Sequence, residues 1–163
     1  MTQAQALPPC GIYKTTDEVA GVPAGRLVFF HNHGDPGPGV YLPEGWDTNR
    51  AQFSERGSTL EVQGQAAALA PLKAEGLYRV RETFHCCDQH CRSFAPGLLV
   101  QLGYDGGATP ILFVPEWTKG GLSFPEMGQK VDEGRLALLD PLTVATAAPA
   151  EASTKPMAEG FLH

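Results

Sequence analysis

The chain is expected to be all-β, a single-domain sandwich or partly closed barrel with one or two short helices. Three observations predict this. With 19 Gly and 14 Pro, about a fifth of its 163 residues are turn formers, which favours many short elements over long helices. The apolar runs between them are only a few residues long, the length of strands. Several of them alternate apolar and polar side chains with the period of two that a half-buried strand requires.

The length suits one domain with a substantial core. Residues 1–9 read as a flexible leader closing on Pro8-Pro9, residues 10–145 as the all-β domain, and residues 146–163 as a flexible Ala/Pro/Glu-rich tail with little to bury. Within the domain, strands are expected near Gly11–Thr15, Arg26–His31, Gly39–Leu42 and Thr59–Gln63, then near Gly76–Phe84, Leu98–Tyr104 and Thr109–Val114. Less regular patterns lie near Gly121–Phe124 and Leu136–Leu139.

The clearest hairpin signal is Leu98–Val114. Val100, Leu102 and Tyr104 share a face, Asp105-Gly106-Gly107 supplies the turn, and Ile111–Val114 returns apolar on both faces, as a central strand would. Val100, Leu102, Leu112 and Val114 are the expected core of this hairpin. Asp35-Pro36-Gly37-Pro38-Gly39 is turn chemistry throughout. The Ala-rich stretch after Gln63 has helix propensity, but Gly64 and Pro71 restrict it to two turns, and Gln129–Leu139 fits a short helix or an edge strand. No internal repeat of useful length is evident. Trp46 and Trp117 are expected to pack in the core or at its rim, given the area each ring can bury.

Charge and composition exclude several function classes. A net charge of −6, with 12 scattered Lys and Arg, is opposite to what a nucleic-acid surface needs. No secretory signal precedes the first strand, and no apolar run approaches the length that spans a bilayer. The expected address is cytoplasmic, where thiols stay reduced. Any partner is then a protein or a second copy of the chain, met through the Gly/Pro loops or the tail.

Chemistry concentrates in Phe84-His85-Cys86-Cys87-Asp88-Gln89-His90-Cys91, which holds three of the four cysteines and two of the five histidines. Thiolates and imidazoles are the ligands of zinc and other transition metals. In a turn, Cys87 and Cys91 share a face. A second pair, His31 and His33, lies two apart at a strand end and so points to one side. The predicted site is a zinc site of His31, His33, Cys87 and Cys91, with His85, Cys86 and His90 as substitutes. Established zinc frameworks pair two Cys-x2-Cys units, and this chain has none. Buried free cysteines, disulfides (Cys10 to the cluster among them) and a reactive thiol pair are the other readings of these residues.

Gly25-Arg26-Leu27-Val28-Phe29-Phe30-His31-Asn32-His33 resembles the opening of the first cupin motif, a glycine, five residues and then His-x-His on a strand. The resemblance implies a jelly-roll barrel holding a metal through His31 and His33, and hence a small cupin-like metalloenzyme. The glutamate that follows in cupins and the second motif with its third histidine are missing here. No nucleophile elbow, His-Glu-x-x-His motif, phosphate loop or dinucleotide fingerprint is present either, so the sequence names no catalytic residue. The reading that best fits is a small metal-binding β-protein whose ion is structural or regulatory. A non-enzymatic binding or assembly module is the competing class.

Overall fold

The computed structural model describes residues 6–34 and 36–147. Residues 1–5 and 148–163, most of the expected leader and tail, lie outside the described residues. The fold is all-β, as expected, and every strand pairing among the described residues is antiparallel.

In the first half, strands β1 (Gly11–Thr15), β2 (Leu27–His31) and β3 (Gly39–Tyr41) form a meander. A projecting hairpin follows, β4 (Pro43–Asp47) and β5 (Arg50–Phe53). The chain then returns as β6 (Ser58–Thr59) beside β3. It turns through a 3-10 helix at Gln63–Ala68 and closes with β7 (Leu69–Pro71) beside β1, giving the order β6-β3-β2-β1-β7. Helix formation stops there because Pro71 cannot continue it.

The second half repeats this plan. β8 (Gly76–Val80) leads to a small hairpin, β9 (Phe84–His85) with β10 (Ser93–Phe94). β11 (Leu99–Tyr104) and β12 (Pro110–Phe113) follow, then a projecting hairpin of β13 (Glu116–Thr118) and β14 (Gly121–Ser123). β15 (Gln129–Lys130), a 3-10 helix at Glu133–Leu138 and β16 (Leu139–Pro141) complete the sheet, in the order β15-β12-β11-β8-β16. The stretch 129–139 is therefore strand first and helix second.

The expectation of no internal repeat is overturned by this topology, and the local contacts agree position by position. Tyr13 donates its hydroxyl to Pro9 O at 2.7 Å, and Tyr78 donates to Ala74 O at 2.6 Å. Gly25 and Gly97, both with φ near +80°, donate to Thr15 O and Val80 O at 2.7 and 2.8 Å. Thr16 N–H bonds Ala68 O, and Arg81 N–H bonds Leu138 O, each at 2.8 Å. Gly57 and Gly128 make the same close approach. A Cβ on Gly57 would lie 2.6 Å from Val40 O, and one on Gly128 would lie 2.8 Å from Leu112 O. The sequence carries the echo in Leu42-Pro43-Glu44-Gly45-Trp46 and Val114-Pro115-Glu116-Trp117. Each sheet takes its strands from one half of the chain, so the chain does not pass back and forth between two sheets as a jelly roll would.

Two cores result. Tyr13, Val19, Val28, Phe30, Val40 and Leu69 form one, within the first half. Tyr78, Val80, Phe94, Val100, Leu102, Leu112 and Leu139 form the larger one, which also takes in Leu27 and Ala51 from the first half. Val100, Leu102 and Leu112 are fully buried as expected, whereas Val114, beyond the end of β12, is only half-buried. Trp46 packs at a rim, but Trp117 is 83% exposed, against expectation. No helix among the described residues is long and apolar enough to cross a membrane.

Candidate metal centres

The cysteine-rich segment forms the loop of the β9–β10 hairpin. Phe84 and Phe94 stack with ring centroids 5.0 Å apart in the second core and anchor its base. One further rung, Cys86 N–H to Arg92 O at 2.9 Å, carries the ladder up to the cysteines. The chain then reverses, with His90 N–H bonded to Cys87 O at 3.0 Å and His90 itself at φ +55°. Two ties hold this loop to the second 3-10 helix. Asp132 N–H donates to Cys86 O at 2.9 Å, and Arg135 pairs with Asp88 at 3.1 Å.

The reversal gathers three thiols. Cys86 Sγ lies 3.6 Å from Cys87 Sγ, which lies 3.9 Å from Cys91 Sγ. Cys86 is buried, Cys87 half-buried and Cys91 exposed. The Cys87 thiol is pulled below the usual cysteine range, first by the Gln89 backbone N–H, then by the Cys86 thiol and the Cys91 N–H. Cys91 is pushed up, because it hydrogen-bonds Cys87 and faces the negative charge there. The loop therefore eases proton loss at Cys87 relative to Cys91. Converging backbone N–H groups of this kind favour an anion, and a thiolate is the form that binds metal. His85 and His90 stand in the same loop with rings stacked at 3.9 Å, outside the three-thiol group.

The upstream histidines gather elsewhere. β1 pairs with β2 so that Gly11 faces Phe30, which sets Cys10 beside His31. Cys10, His31 and His33 form a second group whose ligand atoms lie within 4.8 Å of one another, as do those of Cys86, Cys87 and Cys91. His31 Nδ1 is 2.6 Å from His33 O, a contact that holds the ring in place and leaves Nε2 as its free ring nitrogen. Asn32 N–H donates to Cys10 Sγ at 3.3 Å, and His33 Nδ1 lies 3.8 Å from that sulfur.

The four residues predicted as one site thus fall into two sets, the histidines with Cys10 on one side and Cys87 and Cys91 with Cys86 on the other. Cys10 stands outside the predicted ligands because its place depends on the β1–β2 register, which joins residues distant in sequence. The antiparallel pairing of the first two expected strands is the signal that could have placed it. All four cysteines are free thiols, so the disulfide reading finds no support in the structure.

No protein-family model matches this chain. Nor does any curated protein or solved structure. Its chemistry must be argued from the two ligand sets themselves, which offer a metal ion three donors apiece.

Proposed function

We propose that this chain is a zinc-binding β-protein whose principal ion is held by Cys86, Cys87 and Cys91. The observation that carries the reading is the Cys87 sulfur, favoured as a thiolate by backbone N–H groups, with two further thiols gathered around it. Three thiolate donors suit a soft or borderline ion such as zinc, and a fourth position is left for water or for His90 from the same turn. The thiols must be reduced to serve, which fits a cytoplasmic setting. Because the loop rides on a small hairpin outside both five-stranded sheets, the ion orders the loop and its contacts to Asp132 and Arg135. Its role is regulatory in that sense. Cys10, His31 and His33 supply a second, more exposed set of mixed ligands, weaker for want of a second thiolate.

The test is cobalt substitution followed by zinc competition on the full chain under reducing conditions. A bound site gives intense thiolate-to-cobalt absorption that zinc abolishes at one equivalent. Cys87→Ser should remove that absorption, while a His31→Ala/His33→Ala double variant should retain it. Loss in the histidine variant would instead restore the four-residue set as the site. Absence of any cobalt spectrum, with all thiols open to alkylation, would sink the metal reading.

A further inference from the structure

The thiol loop offers two of its three sulfurs to a solute and withholds the third. Cys86 belongs to the larger core and has no exposed surface. Its sulfur accepts the Arg92 N–H at 3.3 Å. Its backbone is pinned on both sides, the N–H by Arg92 O and the carbonyl by Asp132 N–H, each at 2.9 Å. Cys87 is half-buried and Cys91 exposed. A small reagent in water therefore meets these last two thiols and not Cys86.

Those two are placed to react with each other. Their sulfurs lie 3.9 Å apart, across a turn closed by the His90 N–H to Cys87 O bond at 3.0 Å. A disulfide needs about 2.05 Å, so side-chain rotation has roughly 2 Å to cover. The β9–β10 hairpin lies outside both five-stranded sheets, so closure disturbs neither. Cys86 is nearer to Cys87, at 3.6 Å. A bond between those neighbours, however, closes a small ring through the peptide link that joins them and twists it out of plane. That link carries the carbonyl held by Asp132. Cys91 is thus the partner that the fold leaves free.

We propose that Cys87 and Cys91 form a reversible oxidation site, with hydrogen peroxide as the oxidant and a disulfide between them as the product. In the first step one sulfur attacks a peroxide oxygen and the O–O bond breaks. The sulfur becomes a sulfenic acid, and the other oxygen leaves as water with the thiol proton. In the second step the other sulfur attacks the sulfenic sulfur, the S–S bond forms and the S–O bond breaks. The hydroxyl leaves as water with the second thiol proton. Two thiols are oxidised together by two electrons, and one peroxide is reduced to two waters. Cys86 stays a thiol. On the reading that Cys86, Cys87 and Cys91 hold an ion, closure also removes two of its three donors, so oxidation releases the metal.

The sequence itself permits a direct assay. Trypsin leaves all three thiols in residues 82–92, and a protease that cuts before aspartate then cuts at Asp88, between Cys87 and Cys91. The metal-free full chain is treated with hydrogen peroxide, its remaining thiols are alkylated, and the double digest is weighed by mass spectrometry. Residues 82–87 and 88–92 should stay joined until reduced and carry one alkyl group. Cys86→Ser should keep this joined product, whereas Cys87→Ser and Cys91→Ser should each lose it. A non-reducing gel should show the bond to lie within one chain. Separate fragments, with the first closed between Cys86 and Cys87, would overturn the proposal. So would three alkylated thiols after excess peroxide, or a bond between chains. Zinc added beforehand should slow the joined product at least about tenfold, since a bound thiolate is a poorer nucleophile. A joined product that forms as fast with zinc as without it would sink the metal reading and the release step, not the disulfide.

Discussion

Cys87 and Glu75 show two opposite ways in which burial and hydrogen bonding set the charge of a side chain. The N–H groups around Cys87 favour its thiolate, whereas Cys91 next to it is driven the other way. In the metal-free chain, Cys87 should therefore alkylate with iodoacetamide at lower pH than Cys91, as pH-resolved peptide mass spectrometry would show. Equal pH profiles would contradict the effect assigned to these N–H groups. Glu75 accepts the Ala51 N–H through both oxygens, at 3.3 and 3.2 Å. Its carboxyl is nonetheless raised above the usual range, because burial outweighs that bond and the Arg50 charge. A raised carboxyl favours folding below the ordinary carboxylate value and loses that advantage as pH rises through its folded value. Glu75→Gln should thus flatten this part of the stability profile, gaining on the parent protein as pH rises from about 4 towards neutrality, the span of a raised carboxyl. Urea melts across that range measure it. At this scale the cysteine cluster was legible from composition alone. The partnership of Cys10 with His31 was not, because it depends on how two strands align.

Among the elements, β1, β2, β11 and β12 were legible because turn residues bracket alternating or continuous apolar runs. Of the projecting hairpins only β14 was, as the strand expected near Gly121–Phe124. The first, Pro43–Phe53, breaks any apolar alternation with Pro43, Gly45, Asp47, Asn49 and the charges of Glu44 and Arg50, and reads as loop. It folds back because Thr48 and Asn49 both take positive φ, at 47° and 64°, the geometry of a tight two-residue hairpin turn that Asn tolerates well. The approach of β15 to β12 hangs on Gly128, where a Cβ would meet Ile111 Cγ2 at 2.5 Å and Leu112 O at 2.8 Å. A backbone carbonyl cannot step aside as a flexible side chain can. Gly128→Ala should cost about 1–3 kcal/mol in a denaturant melt, and Gly57→Ala should cost a similar amount, since the two glycines occupy the same place in the two sheets. A cost at one site alone would break the equivalence.

Across the whole molecule, the larger of the two cores draws on both halves, so they should unfold together. Leu27 belongs to β2 by sequence but to the second core by contact. Leu27→Ala should cost about 2–5 kcal/mol and shift Trp46 fluorescence and far-UV circular dichroism in parallel. Separated transitions would show the halves to be independent. The duplication itself escaped the sequence because few side chains needed keeping. Glycines at close approaches, a tyrosine in the first strand of each half and the Pro-Glu/Trp corner persist, while loops of unequal length displace them relative to one another. The longest of those displacements falls between the first two sheet strands of each half. In the first half that span is short and closes on the Val19–Val22 bridge, with no cysteine in it. In the second it is the thiol loop. The protein thus carries its own thiol-free version of this loop. The same frame closes without the three thiols, so the proposed principal ion is an addition to an architecture complete without it, and exchanging residues 82–96 for residues 17–24 should yield a chain that keeps its shape and loses that ion alone.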